Sequence, residues 1–146
     1  MNRVSQTIRG HILDSHRGTV ETLIECADEA SDEWDGDFVS QRSRVVSPLE
    51  TRLRDRGSLR DLSIMIEEVA DVAELNLQAS PVPGPPYVTV TSLGPVLRGT
   101  CARGRIIVRF RLFDLRREGE NVYVRGSNEP EEVVEVEFRP GSVPDR

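Results

Sequence analysis

Apolar and charged residues alternate from Gly104 to Leu115. The even positions carry Ile106, Val108, Phe110 and Leu112, and the odd positions carry Arg105, Arg109 and Arg111. Because successive side chains of a strand point to opposite faces, this pattern predicts an antiparallel strand with one buried face and one cationic face. A helix would spread the arginines around its circumference.

Shorter alternating segments surround this strand in the second half of the chain. They lie at residues 87–91, 96–101, 121–125 and 132–139, with polar turns at 116–119 and 126–130. In the last segment Val134, Val136 and Phe138 alternate with Glu135 and Glu137. Strands that follow one another through tight turns are typical of an antiparallel β-meander, here of four or five strands.

The first half of the chain has helical spacing instead. Apolar residues three or four apart predict an amphipathic helix over residues 3–30, with Gly18 as a candidate break. Ser47 and Pro48 form a typical helix start, and Gly57 ends that helix. Ser58 then begins a third helix.

These elements predict an α+β fold in which N-terminal helices pack on one face of a C-terminal antiparallel β-meander. The 146 residues fit a single domain. We divide it into a helical part at 1–78, a proline-rich linker at 79–86, a β part at 87–139 and a short tail at 140–146.

The charge composition adds an indication of habitat. There are 25 acidic and 19 basic residues, and every basic residue is arginine. Dense negative charge is well tolerated at molar salt, where the Debye length is only about 3 Å, so we interpret the chain as halophilic. The sequence has no apolar run of the roughly eighteen residues that a membrane span needs and no hydrophobic signal segment, so we expect a cytoplasmic protein.

The sequence predicts no catalytic, cofactor or metal residue. It lacks the serine-elbow, phosphate-loop, dinucleotide and zinc-protease motifs, and its two cysteines form no Cys-x-x-Cys pair and are interpreted as buried thiols. His11 and His16 would stand about 140° apart on a continuous helix, which places them poorly as metal ligands. The acidic run at 25–37 fails as a calcium loop, because aligning Gly36 with the invariant glycine puts Arg42 where a glutamate is needed.

Surface residues therefore carry the functional hypotheses. Trp34 and Phe38 stand in an acidic collar and are candidate anchors for a protein partner or for self-association. A nucleic-acid-binding face is the alternative; its candidate residues are Arg105, Arg109, Arg111 and Tyr123. An enzyme of unknown reaction is the third hypothesis.

Two segments carry a family resemblance. They are Tyr87-Val-Thr-Val-Thr-Ser-Leu-Gly-Pro-Val-Leu-Arg-Gly-Thr and Gly104-Arg-Ile-Ile-Val-Arg-Phe-Arg-Leu-Phe-Asp. Together with the lysine-free acidic composition and the helical first half, they resemble the small uncharacterised haloarchaeal proteins grouped as domains of unknown function. The resemblance implies no activity, ligand or catalytic residue.

Overall fold

The computed structural model describes residues 2–141, with Glu118 described by its backbone alone, and it confirms the α+β fold. The predicted tail falls outside the described residues from position 142 onward. Four helices and one short strand occupy the first half: α1 (Arg3–Ser15), α2 (Arg17–Ser31), β1 (Phe38–Val39), α3 (Ser43–Asp55) and α4 (Ser58–Val72). Within the described residues, every helix is too short or too polar to cross a membrane.

The second half is built mainly of strands. Its elements are β2 (Val88–Thr91), β3 (Gly94–Cys101), β4 (Gly104–Phe110), β5 (Phe113–Glu118), β6 (Glu120–Arg125), α5 (Pro130–Val133) and β7 (Val134–Pro140). They form two antiparallel sheets where the sequence predicted one meander. The four-stranded sheet has the order β2-β3-β4-β7, and the three-stranded sheet has the order β1-β6-β5.

The alternation predicted from Gly104 onward is confirmed in β4. The predicted inward side chains are almost completely buried, with exposed fractions of 0–1%: Ile106, Val108, Phe110 and Leu112. In β7, Phe138, Val136 and Val134 lie opposite Ile106, Val108 and Phe110 and face the same core. The strand is shorter than the pattern indicated, because the backbone leaves the sheet at Arg111 and Leu112 before β5 begins.

The long N-terminal helix is broken, but two residues before Gly18. His16 ends α1 and precedes α2 with φ −120° and ψ 21°, outside helical geometry. The chain changes direction there. Residues five apart across this break no longer keep the angular separation of a continuous helix.

Helix α3 starts earlier than Ser47 and Pro48 predict. Helix α3 begins at Ser43, so Pro48 lies inside it, where it has no N–H to donate to the carbonyl of Arg44. The indole Nε1 of Trp34 donates to that carbonyl instead, at 3.0 Å. Trp34 thus replaces the hydrogen bond that proline removes.

One hydrophobic core joins all the layers. Helix α1 packs along β7 and helix α4 along β3, while α2 contacts α1, α3 and α4. Both free cysteines are buried, as predicted. Burial raises the pKa of the Cys26 thiol to about 11, which keeps it protonated and unreactive.

Candidate functional site

Two arginines of the predicted cationic face, Arg109 and Arg111, pair with carboxylates of β7. Arg109 lies opposite Glu135 across β4 and β7, and its Nη1 is 2.9 Å from Glu137 Oε1 and 3.5 Å from Glu135 Oε1. Arg111 Nη1 is 3.7 Å from Glu135 Oε2. Arg139 and Arg109 donate hydrogen bonds to Glu137 and hold the pKa of its carboxyl below the usual value.

The four residues predicted for nucleic acid are not brought together. Arg105, Arg109 and Arg111 belong to β4 and its end, whereas Tyr123 lies on β6 in the three-stranded sheet. Tyr123 also packs against the core from the inner side of its sheet. The aromatic and arginine platform that the sequence suggested is therefore divided between two sheets.

The two predicted anchors have different environments. Trp34 is only 8% exposed, and its ring packs on Phe113 with 5.7 Å between ring centroids. Phe38 is 59% exposed, the largest value among the big apolar residues that the structure describes. Of the two, Phe38 is the side chain available at the surface.

Phe38 belongs to a half-apolar surface that we call the outer face of the three-stranded sheet. Phe38 and Asp114 both pair with Val124, and Val122 pairs with Arg116. Because cross-strand partners share a face, these five side chains point the same way. The opposite, inner face carries Val39, Tyr123 and Phe113 toward the core.

A cleft of about 540 Å³ opens beside the outer face. It is lined by Asp32, Asp35 and Asp37 from the loop before β1, by Trp34, and by Arg116 on β5. Charges of both signs therefore meet at the border of the apolar surface.

The acidic run at 25–37 divides into two groups. Four of its members form ion pairs with arginine: Glu25 and Glu29 with Arg56, Asp28 with Arg125, and Glu33, in the turn after α2, with Arg52. The other three, Asp32, Asp35 and Asp37, line the cleft. Among the ion pairs formed by the side chains that the structure describes, none involves Asp32, Asp35, Asp37 or Arg116.

A second cluster lies where three helices meet, and we call it the His–Glu cluster. His11 Nε2 and His16 Nε2 lie 2.7 and 2.6 Å from the same oxygen, Oε1 of Glu68. The two rings are in edge-to-face contact, with 5.4 Å between centroids. The hydrogen bonds from His11 and His16 lower the pKa of Glu68, so it is ionised at neutral pH.

Sequence reasoning missed this cluster because it placed both histidines on one straight helix. The break at His16 brings the second ring back toward the first. Glu68 is 52 residues beyond His16, and nothing local in the sequence connects it with the histidines.

Comparison with known proteins supplies a family and no activity. A family model described as a domain of unknown function, DUF7988, matches residues 6–139. No curated protein and no solved structure matches the chain. Because the match spans nearly all of the helices and strands described above, the chain belongs to the DUF7988 family of domains of unknown function.

Proposed function

We propose that this chain is a small non-catalytic protein that acts through self-association, with the outer face of its three-stranded sheet covered by a second copy. The observation that carries the proposal is the exposure of Phe38 beside Val122 and Val124. Exposed apolar surface of this kind, bordered by charged residues, is typical of protein interfaces.

Charge complementarity indicates a second copy as the occupant. In a twofold interface the same patch is present on both partners, so each contact occurs twice with the roles exchanged. The patch carries carboxylates on the loop before β1 and a guanidinium on β5. Pairing two copies around Phe38 brings Asp35 and Asp37 of one protomer to Arg116 of the other.

The cellular environment of the protein is part of the same proposal. The lysine-free, acidic composition favours a haloarchaeal cytoplasm rich in salt, where excess carboxylate is well hydrated and weakly self-repelling. Apolar contact at Phe38 then supplies most of the affinity, since salt strengthens apolar burial and screens the ion pairs.

Sedimentation equilibrium tests the proposal in molar potassium chloride with a chelator present. We expect the full chain to form dimers, and Phe38→Ser to weaken the dimer at least about tenfold, because the buried aromatic anchor is lost. Ile64→Ser is the matched control, since Ile64 is similarly exposed, at 53%, but lies on α4. That control should keep the wild-type dissociation constant.

Exchanging two charges across the proposed interface tests whether a second copy of the chain covers the outer face. Arg116→Asp should weaken the dimer at low salt, and adding Asp37→Arg to it should restore association. A wild-type chain that stays monomeric at all concentrations contradicts the proposal. So does a dimer that Ile64→Ser weakens as much as Phe38→Ser.

The nucleic-acid alternative stays a prediction. Two of its three arginines, Arg109 and Arg111, already pair with carboxylates of β7, which reduces the charge available to phosphate. Oligonucleotide affinity that is unchanged by Arg109→Glu and Arg111→Glu would end it.

A further inference from the structure

The His–Glu cluster places three metal-ligand side chains around one point. Each comes from a different segment: His11 from α1, His16 from the break between α1 and α2, and Glu68 from α4. Their potential ligand atoms all lie within 4.8 Å of one another. Two imidazoles with one glutamate form a donor set that binds zinc and related ions in proteins.

The arrangement is unusual for this chain. Among residues 2–141, every other ion pair is formed by arginine, and each arginine guanidinium can only donate hydrogen bonds. Here two histidines share one carboxylate oxygen, and each imidazole can present a lone pair once its proton is on Nδ1. Arginine in the same places could hold Glu68 but could never coordinate a cation.

The spacing is close to what a tetrahedral ion requires. Metal–ligand bonds of about 2.0–2.1 Å in tetrahedral geometry separate neighbouring donors by about 3.3 Å. The Nε2 to Oε1 distances of 2.7 and 2.6 Å must therefore lengthen by about 0.6 to 0.7 Å. Glu68 can make that shift, because its side chain is 45% exposed and flexible.

The cluster also has access to solvent without being fully exposed. The side chains of His11 and His16 are 22% and 17% exposed, so the rings are fixed by packing while one side stays open. An open side gives an arriving ion a path and leaves a position for water. The side chain of Glu68 supplies an oxygen donor beside the two imidazole nitrogens.

We propose that His11, His16 and Glu68 bind one divalent transition-metal ion of the Zn²⁺ class, with water in the remaining position. The proposal is independent of self-association, because the cluster lies on the helices and the outer face lies on the three-stranded sheet. It concerns binding and assigns no reaction to the ion.

Calorimetric titration of the untagged, chelator-stripped full chain with Zn²⁺ tests this proposal. We expect one site per chain, and His11→Gln, His16→Gln or Glu68→Gln should each weaken binding by at least about 100-fold, since each removes a direct ligand. Glu67→Gln is the matched control: it removes the neighbouring carboxylate, which is exposed and outside the cluster. It should leave Zn²⁺ affinity unchanged.

Two results would overturn the proposal. One is wild-type affinity in all three ligand variants. The other is equal affinity for Mg²⁺ or Ca²⁺, which indicates general attraction to an acidic surface, because imidazole discriminates against those hard cations.

Histidine ring NMR on the wild-type chain gives a reading that needs no variant. The chain has only two histidines, so both imidazole signals report on the cluster. One equivalent of Zn²⁺ should shift the ring resonances of both. If neither histidine responds, the site does not exist as proposed.

Discussion

The two sheets of this protein contain the same kind of alternating strand but differ in how their edges and faces are covered. In the four-stranded sheet, α1 lies along the edge strand β7, where Arg9 Nε donates to the carbonyl of Val134 and Asn2 Nδ2 to that of Phe138, both at 3.1 Å. In the three-stranded sheet, β1 and β5 form the edges, and Phe38 projects from the outer face. Covered edges protect a sheet from other chains, whereas an uncovered one is available for association.

This difference predicts that one sheet mainly stabilises the fold and that the other mediates association. The four-stranded sheet and its helices contain most of the large, fully buried side chains. The three-stranded sheet contributes its inner face to that core and leaves its outer face to solvent. We therefore expect substitutions in the first sheet to change the free energy of unfolding, and those on the outer face of the second to change association.

Replacing one phenylalanine by alanine in each sheet tests this expectation and should give the largest difference in the free energy of unfolding. Phe110→Ala, at a side chain only 1% exposed, should lower the free energy of unfolding by about 3–5 kcal/mol, because it empties a packed site. Phe38→Ala should lower it by less than about 0.5 kcal/mol in the monomer, because the ring is already in water. Urea unfolding of dilute protein measures both, and similar losses would contradict the division.

Removing a contact between α1 and the edge strand β7 should have an effect of intermediate size on the free energy of unfolding. Arg9→Ala deletes a charged donor to the β7 carbonyl of Val134 and should lower the free energy of unfolding by about 1–2 kcal/mol. Arg117→Ala on the exposed edge strand β5 should change it by less than about 0.5 kcal/mol. Hydrogen exchange should show faster opening of β7 in the first variant only; protection of β7 equal to wild type would show that α1 adds nothing there.

The smallest effect is expected from one ion-paired carboxylate of the four-stranded sheet, Glu137, when the protein is acidified. Arg139 and Arg109 lower the pKa of Glu137, so the folded state holds this proton less tightly than the unfolded state does. The stabilisation is present above the ordinary carboxyl value of 4.5 and is lost as pH falls through the lower folded value. Melting temperatures from pH 5 to pH 3 should fall less steeply in Glu137→Gln, and parallel curves would show that the ion pairs contribute nothing.

Local pattern was sufficient for much of the fold. The buried positions of β4 and β7 followed from alternation, and the helical first half followed from apolar spacing. These predictions succeed because the period of a strand or a helix is fixed by backbone geometry. Element boundaries are less accurate: Ser47 and Pro48 predict a helix start, but the indole of Trp34 makes Pro48 tolerable inside α3.

The sequence by itself determined which residues of β4 and β7 face the core, the class of fold, and an acidic composition in which every basic residue is arginine. Only the tertiary structure decided that the strands divide into two sheets, that Trp34 is buried while Phe38 is exposed, and that two histidines meet Glu68. The physical reason is that periodicity shows only on which face of its own helix or strand a residue lies. Which elements become neighbours depends on packing between segments far apart in the chain, and a break such as the one at His16 changes that packing without changing the pattern.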